Sequence, residues 1–343
     1  MSLDLLEATP DGLYCRPGRF HIDPWRPVER AVVTHAHSDH ARSGSEAYLA
    51  AAAGADLLAI RLGPTASIES LRWGEERDVN GVRVSFHPAG HILGSAQVRV
   101  EHEGEVWVVT GDYKRHTDPT TTPFEPLRCH VLVTESTFGL PVYRWPNAAG
   151  EFTRIASWWA RNREAGRTSI LYGSALGKAQ RLLAGLPRDA GPILVHGAVA
   201  RLNEVYRAAG VDLPPTLPAD LEHGRRLRGE ALVVAPPSAG VPGWLRKFGA
   251  TSTAFASGWM RIRGPRRRRA ADRGFVISDH ADWDGLLRTV RESGAERVGV
   301  THGYRATLVR YLREVDGLDA WSVPTPWEGA RAEEMAGPEV EPD

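Results

Sequence analysis

Short runs along the first 135 residues alternate apolar and polar positions with a period of two, the pattern of half-buried strands. Val82-Arg83-Val84-Ser85-Phe86 and Ala96–Glu101 carry this alternation, and the β-branched run Ala31-Val32-Val33-Thr34, with Glu105–Thr110 and Val131-Leu132-Val133-Thr134, predicts further strands. Phe20-His21-Ile22-Asp23-Pro24-Trp25 predicts another, stopped by its proline. Residues 46–62 are rich in Ala and Leu and predict a helix. Further on, helical patterns at 150–165 and 176–187 alternate with strand-like runs at 168–173, 191–196 and 231–235, a βαβ rhythm with proline-rich punctuation at 211–218 and 236–242. Strand patterns of the first kind return at Phe275-Val276-Ile277-Ser278 and Arg297-Val298-Gly299-Val300-Thr301. The order predicts one α/β domain with a second inserted into it: 1–140 and 275–326 around an insert at 141–274. The Gly/Pro/Glu-rich tail at 327–343 reads as disordered.

Six of these runs finish on His, Asp or Glu, and strand ends are where α/β proteins gather ligands. The densest is His35-Ala36-His37-Ser38-Asp39-His40, with three imidazoles and a carboxylate in six residues. In an extended segment positions i and i+2 point the same way, so His35 and His37 can grip one ion. Asp39 and His40 follow in the turn and can aim at a second. Imidazole with carboxylate suits zinc and similar divalent ions. The other strand ends carry His87 and His91, Asp112, Glu135, Asp279-His280 and His302.

Composition narrows the picture. At 343 residues two domains is the natural expectation, and 42% hydrophobic residues suffices for packed cores. The formal net charge is zero, so any nucleic-acid surface must come from local segregation of charge. The two cysteines, Cys15 and Cys129, have no metal-like spacing, and free thiols fit a cytosolic protein. The N-terminus reads as no secretory signal. No stretch approaches the roughly 20 apolar residues of a membrane span.

Taken together, His35-x-His37-x-Asp39-His40, Gly90-His91, Gly111-Asp112 and Thr301-His302-Gly303 resemble the metallo-β-lactamase fold, an αββα sandwich with two metals at one edge. Glu135 in Thr134-Glu135-Ser136-Thr137-Phe138-Gly139 and His280 in Ser278-Asp279-His280-Ala281-Asp282 resemble the further motifs of the β-CASP nucleases. The stretch Glu135–Pro146 and the Arg-Gly-x-Arg-Arg-Arg-Arg run look like the bacterial ligase-associated DNA exonucleases within that family.

The resemblance implies roles. His35, His37 and His91 would hold one metal, Asp39, His40 and His302 the other, and Asp112 would bridge them. His87, four residues before His91, competes for its place; the flanking Gly-His-x-x-Gly-Ser favours His91. Zinc is the ligand-based expectation, with manganese able to support activity. The shared hydroxide would attack a phosphodiester. Asp39 would orient it, His280 would stabilise the phosphoryl group or protonate the leaving oxygen, and Glu135 would fix the tautomer of His280 and raise its pKa. Asp23 matches an early acidic residue that braces the metal ligands. The implied activity is a DNA exonuclease in repair or end processing, with an ATP-dependent DNA ligase and a helicase as pathway partners. Here the inserted domain would cap the metal site.

Two features bear on substrate. Gly173-Ser174-Ala175-Leu176-Gly177-Lys178 follows a strand and opens a helix, so Ser174, Lys178 and backbone N–H groups can bind a phosphate; a small-residue turn for close packing explains it equally. The run Arg261, Arg263, Arg266, Arg267, Arg268 and Arg269 suits a nucleic-acid backbone. Phe138, Tyr143 and Trp145 can stack bases or fill a core. An RNase is the alternative, because histidine at the position of His302 is the habit of the family's RNA enzymes. A small-molecule hydrolase and an inactive scaffold stand behind it.

Overall fold

The computed structural model describes residues 4–262 and 271–325, so the tail expected at 327–343 lies outside the described residues. Their packing separates them into two units: 4–117, 121–141 and 280–325 form the first, and 118–120, 142–262 and 271–279 the second.

The first unit is built on two sheets. The strands Leu6–Thr9, Gly12–Cys15, Phe20–Ile22, Arg30–Val33, Ala47–Ala51 and Ile68–Leu71 lie side by side in chain order. The second sheet runs Asp319–Ser322, Arg297–Thr301, Val131–Glu135, Glu105–Val109, Ala96–His102, Val82–Pro88 and Glu76–Val79. The alternation seen in the sequence has a direct outcome. Phe20, Val32 and Leu49 from one sheet and Val84, Val98, Trp107 and Val131 from the other form one apolar core between them. Full burial of each such side chain is worth about 1.5–3 kcal/mol. Leu132, Val298 and Val300 face the opposite way, onto Trp283, Leu286, Val290, Leu308 and Leu312 of the helices Trp283–Ser293 and Arg305–Glu314. This is the expected αββα sandwich with an inserted domain.

The Ala/Leu-rich segment departs from expectation. Ala47–Ala51 is a strand, and only Ala55–Leu62 is α-helical. Ala47–Ala51 pairs in parallel with Arg30–Val33 on one side and Ile68–Leu71 on the other, and four of its five residues are buried. Pairing on both edges outweighs the helical propensity of alanine.

The second unit is an α/β body with an all-parallel sheet, ordered Leu217–Pro218, Ile193–Val195, Leu232–Ala235, Thr168–Tyr172, Thr251–Ala256 and Arg273–Phe275. Its strands read as continuous apolar runs because both faces are covered. Ala148–Glu164, Lys178–Gly185 and Gly197–Ala208 are its longest described helices. The late run at Phe275–Ser278 also departs from expectation. The strand there is Arg273–Phe275, it pairs with Thr251–Ala256, and the chain has left the sheet before Asp279. No helix among the described residues is long and apolar enough to cross a membrane.

Candidate metal centre

Register brings the polar strand ends to one edge of the first unit. Glu135 lies opposite Thr301, so Glu135 and His302 end neighbouring strands. The Ala96 N–H donates to the Thr34 carbonyl at 2.9 Å, joining the end of one sheet to the start of a strand in the other. Two glycines permit the turns that follow. Gly111 has φ 54°, and a Cβ there would meet Thr34 Oγ1 at 2.7 Å. Gly303 has φ 59°, and a Cβ would meet the Ser136 carbonyl at 2.2 Å. Asp23 and His302 adopt the left-handed region without being glycine, at φ 45° and 53°. Such strain of about 1–3 kcal/mol persists where surrounding structure holds it, and it clusters at functional sites.

Seven residues expected as ligands converge in two groups. Ligand atoms of His35, His37, His91 and Asp112 lie within 4.8 Å of one another, as do those of Asp39, His40 and His302. His35 Nε2 is 3.1 Å and His91 Nε2 3.0 Å from His37 Nδ1. Asp112 Oδ2 lies between the groups, 3.7 Å from His35 Nε2, 3.8 Å from His91 Nε2 and 3.4 Å from His40 Nε2. His87, the rival of His91, is instead held by Ser85 and Glu125, at 3.2 Å each, and stands outside both groups.

The far side of each imidazole explains its aim. Asp23 Oδ2 accepts from His40 Nδ1 at 2.7 Å and from Thr34 Oγ1 at 2.6 Å. Thr34 Oγ1, committed as donor to Asp23, accepts from His35 Nδ1 at 3.0 Å. Asp23 therefore sets two imidazoles, one directly and one through Thr34, with both Nε2 atoms turned to the centre. Ser95 Oγ accepts from the His91 and Ile92 N–H groups at 2.9 and 3.2 Å, which shapes the turn that carries His91. Thr34 was not singled out in the sequence; a hydroxyl directly before the His cluster was the only available signal.

A divalent ion fits this donor set. A tetrahedral ion with nitrogens at about 2.0–2.1 Å spaces its ligand atoms about 3.3 Å apart. The nitrogens of His35 and His91 stand at nearly that spacing from His37 Nδ1. His40 Nε2 is buried and makes no aligned hydrogen bond, although Asp112 and Asp39 carboxylates lie 3.4 and 3.7 Å away.

The electrostatics agree. Burial, then the imidazoles of His40, His37 and His91, push the His35 pKa well below its ordinary value, so it stands ready as a neutral ligand. Burial lowers that of His40, but the carboxylates of Asp112, Asp39 and Asp23 outweigh it and hold it well above the usual value. Burial would raise that of Asp112, yet His40, His280 and His35 keep its carboxyl well below the usual range.

Beside this cluster stands a second pair. Both Glu135 carboxylate oxygens accept from His280 Nδ1 at 3.0 Å, and Oε1 also accepts from the Tyr113 N–H at 2.8 Å. His280 Nδ1 is 4.0 Å from Asp112 Oδ2. His280 is half-exposed, while Glu135 is buried.

The residues expected to bear on substrate have settings of their own, and Phe138 packs edge-on against His280 with ring centres 5.8 Å apart. Ser174 is exposed, but Lys178 is buried and its Nζ is 2.7 Å from Asp279 Oδ2. A Cβ at Gly173 would meet Lys178 Cγ at 2.7 Å, which favours the close-packing reading of that turn. Arg261 is exposed, with Nε 3.5 Å from the Val142 carbonyl. Arg263, Arg266, Arg267, Arg268 and Arg269 lie outside the described residues. Phe138 and Tyr143 are core residues, 2% and 0% exposed, and Trp145 packs on Tyr143 with ring centres 6.0 Å apart.

Comparison with known proteins adds an independent line. No family model matches the chain. A "Probable DNA ligase" of Opitutus terrae is 34% identical over 318 residues, covering 91% of this chain and 30% of that protein. "Cleavage and polyadenylation specificity factor 73" of Drosophila melanogaster is 36% identical over 119 residues, 34% of this chain and 17% of the other. An "RNase J-like protein" of Methanocaldococcus jannaschii is 30% identical over 151 residues, 41% of this chain and 36% of the other. The chain thus spans about a third or less of the length of these relatives. A crystal structure of a protein of unknown function from Enterococcus faecalis V583 shares the fold, with TM-score 0.55 and 13% identity over 79% of this chain and 74% of that one.

Proposed function

Since the chain belongs to the metallo-β-lactamase-fold β-CASP family, we propose that it is a metal-dependent nuclease, and more narrowly a DNA exonuclease of repair or end processing. The observation that carries the proposal is the placement of Asp112 Oδ2, within 4.0 Å of imidazole nitrogens from both ligand groups and of His280.

In this reading His35, His37 and His91 would hold one divalent ion and Asp39, His40 and His302 the other, with Asp112 able to serve both. Ions in such a site supply an ionised water near neutral pH and neutralise phosphate charge. Zinc suits the donors, and manganese is the second expectation.

The chain's own groups do the rest. Asp39 carries the most exposed carboxylate of the cluster, its side chain 33% accessible. It accepts a hydrogen bond from the attacking water and turns a lone pair toward phosphorus. Glu135 accepts a hydrogen bond from His280 Nδ1–H, and its buried negative charge favours the doubly protonated ring, so that Nε2 also carries a proton and faces the substrate. As the P–O bond breaks, its electron pair goes to the departing oxygen, and His280 Nε2 delivers a proton there. Asp23 and Thr34 keep His40 and His35 aimed while this happens.

The preference for DNA rests on the match over 91% of the chain to a protein called a probable DNA ligase. That likeness supports work beside an ATP-dependent DNA ligase, with a helicase in the same pathway. The RNase reading keeps the support of the RNase J-like protein and of the Drosophila relative. Parallel digestion of DNA and RNA strands of one sequence, labelled at either end, tests the choice. Stepwise shortening of DNA, abolished by Asp39→Ala, is expected. RNA cut while DNA stays intact would overturn the DNA reading and leave the metal reading standing.

A further inference from the structure

The second unit buries four charged side chains that the mechanism above does not use. Lys178 Nζ is 2.7 Å from Asp279 Oδ2, and Arg181 Nη1 is 3.1 Å from Asp279 Oδ1. Arg181 Nη1 also donates to the Ser278 carbonyl. On its other side Arg181 Nε lies 3.3 Å from Asp118 Oδ2. Asp118 Oδ1 in turn accepts from the Thr120 N–H and hydroxyl at 2.8 and 2.5 Å. All four side chains are at most 9% exposed.

Two cations against two anions is electrically balanced, yet burying them gains little stability over apolar side chains of the same volume. Such a network is better explained by what it holds in place. It grips the carbonyl of Ser278 and the side chain of Asp279, the two residues directly before His280. Directly after His280, the Ala281 N–H donates to the Tyr113 carbonyl at 2.7 Å. No regular element does this job, because the strand of this segment ends at Phe275 and the next helix starts at Trp283. The imidazole therefore hangs from a short irregular segment tied on both sides. An error of about 1 Å in such a group can lower a rate about 100-fold.

We propose that Arg181, with Lys178 and Asp118, is a positioning residue for His280: the buried ionic network sets the Ser278–Asp279 backbone and thereby the proton that His280 gives to the leaving oxygen. The inference rests on the proton-donor role assigned to His280 above.

The test compares a DNA strand with the p-nitrophenyl ester of thymidine 5′-phosphate, whose leaving group needs no proton. Arg181→Met, His280→Gln and the double variant are assayed on both as the full metal-loaded chain, with metal content and circular dichroism measured beside them. Arg181→Met should lower kcat on DNA about 10- to 100-fold with KM little changed, and change the nitrophenyl rate less than about 2-fold. The double variant should be no slower on DNA than His280→Gln alone. Equal losses on both substrates, or losses that multiply in the double variant, overturn the inference. If Arg181→Met does not fold, Asp118→Asn carries the same comparison with its volume conserved. A His280→Gln loss that is equal on the two substrates overturns the donor role itself and the inference with it. Discrimination by His280→Gln but not by the network variants overturns the inference alone.

Discussion

His280 Nδ1 stands 3.0 Å from each of the two carboxylate oxygens of Glu135. The carboxylate is buried and the imidazole half-exposed, so the pair presents one ring nitrogen outward and fixes the other. Glu135→Gln keeps the shape and removes the charge. It should lower kcat about 10- to 100-fold while metal content stays that of the wild type. Rates on a labelled strand together with elemental analysis check this.

The two candidate histidines before Ser95 should behave differently. His91→Gln removes a nitrogen 3.0 Å from His37 Nδ1 and should cut metal affinity by at least about 10-fold. His87→Gln alters hydrogen bonds to Ser85 and Glu125, outside both ligand groups, and should leave metal affinity within about 2-fold. Zinc titration of both variants against a competing chelator decides it.

His40 should make metal uptake depend on pH. Its pKa is held well above the usual imidazole value by Asp112, Asp39 and Asp23 against the effect of burial. A ligand imidazole must be neutral, so ion and proton compete there. Affinity should keep rising with pH beyond about 6.5, where an ordinary histidine has lost its proton. Calorimetry in buffers of different ionisation heat should show proton release on binding. The sign for folding is opposite. In metal-free protein a raised His40 pKa contributes stability that is full below the unfolded value and is lost as pH rises through the folded one. His40→Gln should therefore destabilise the metal-free chain most in mildly acidic buffer.

The two thiols should be inert. Burial pushes Cys15 and Cys129 each up to about 11, against favourable contacts with Gly18 and Ser293 respectively. A disulfide-exchange reagent at pH 8 should label neither in the native chain and both after denaturation. Rapid native labelling would contradict the packing described.

Much of the fold was legible because its logic is periodic. The strands at Val82–Pro88 and Ala96–His102 lie where alternation predicts them, and Arg30–Val33 where a β-branched run does. Ala47–Ala51 reads as helix because its local propensity is helical, while the two parallel neighbours that make it a strand are distant in sequence. Among candidate site residues, the dense His/Asp motif announced itself by residue type. The structure brings Asp112, His91 and His302 to it from strand ends. Thr34 and Arg181 were not legible. A threonine at a strand end and an arginine on a helix are ordinary residues until their partners, Asp23, Asp118 and Asp279, are known in space.

Asp112 Oδ2 stands between the two ligand groups, where it would serve both ions. The decisive measurement is the stoichiometry of zinc bound by the chelator-stripped full chain, in the wild type and in Asp112→Ala. The prediction is two ions per chain in the wild type, with both weakened by the single substitution. Absence of binding, or a single ion indifferent to Asp112→Ala, would contradict it.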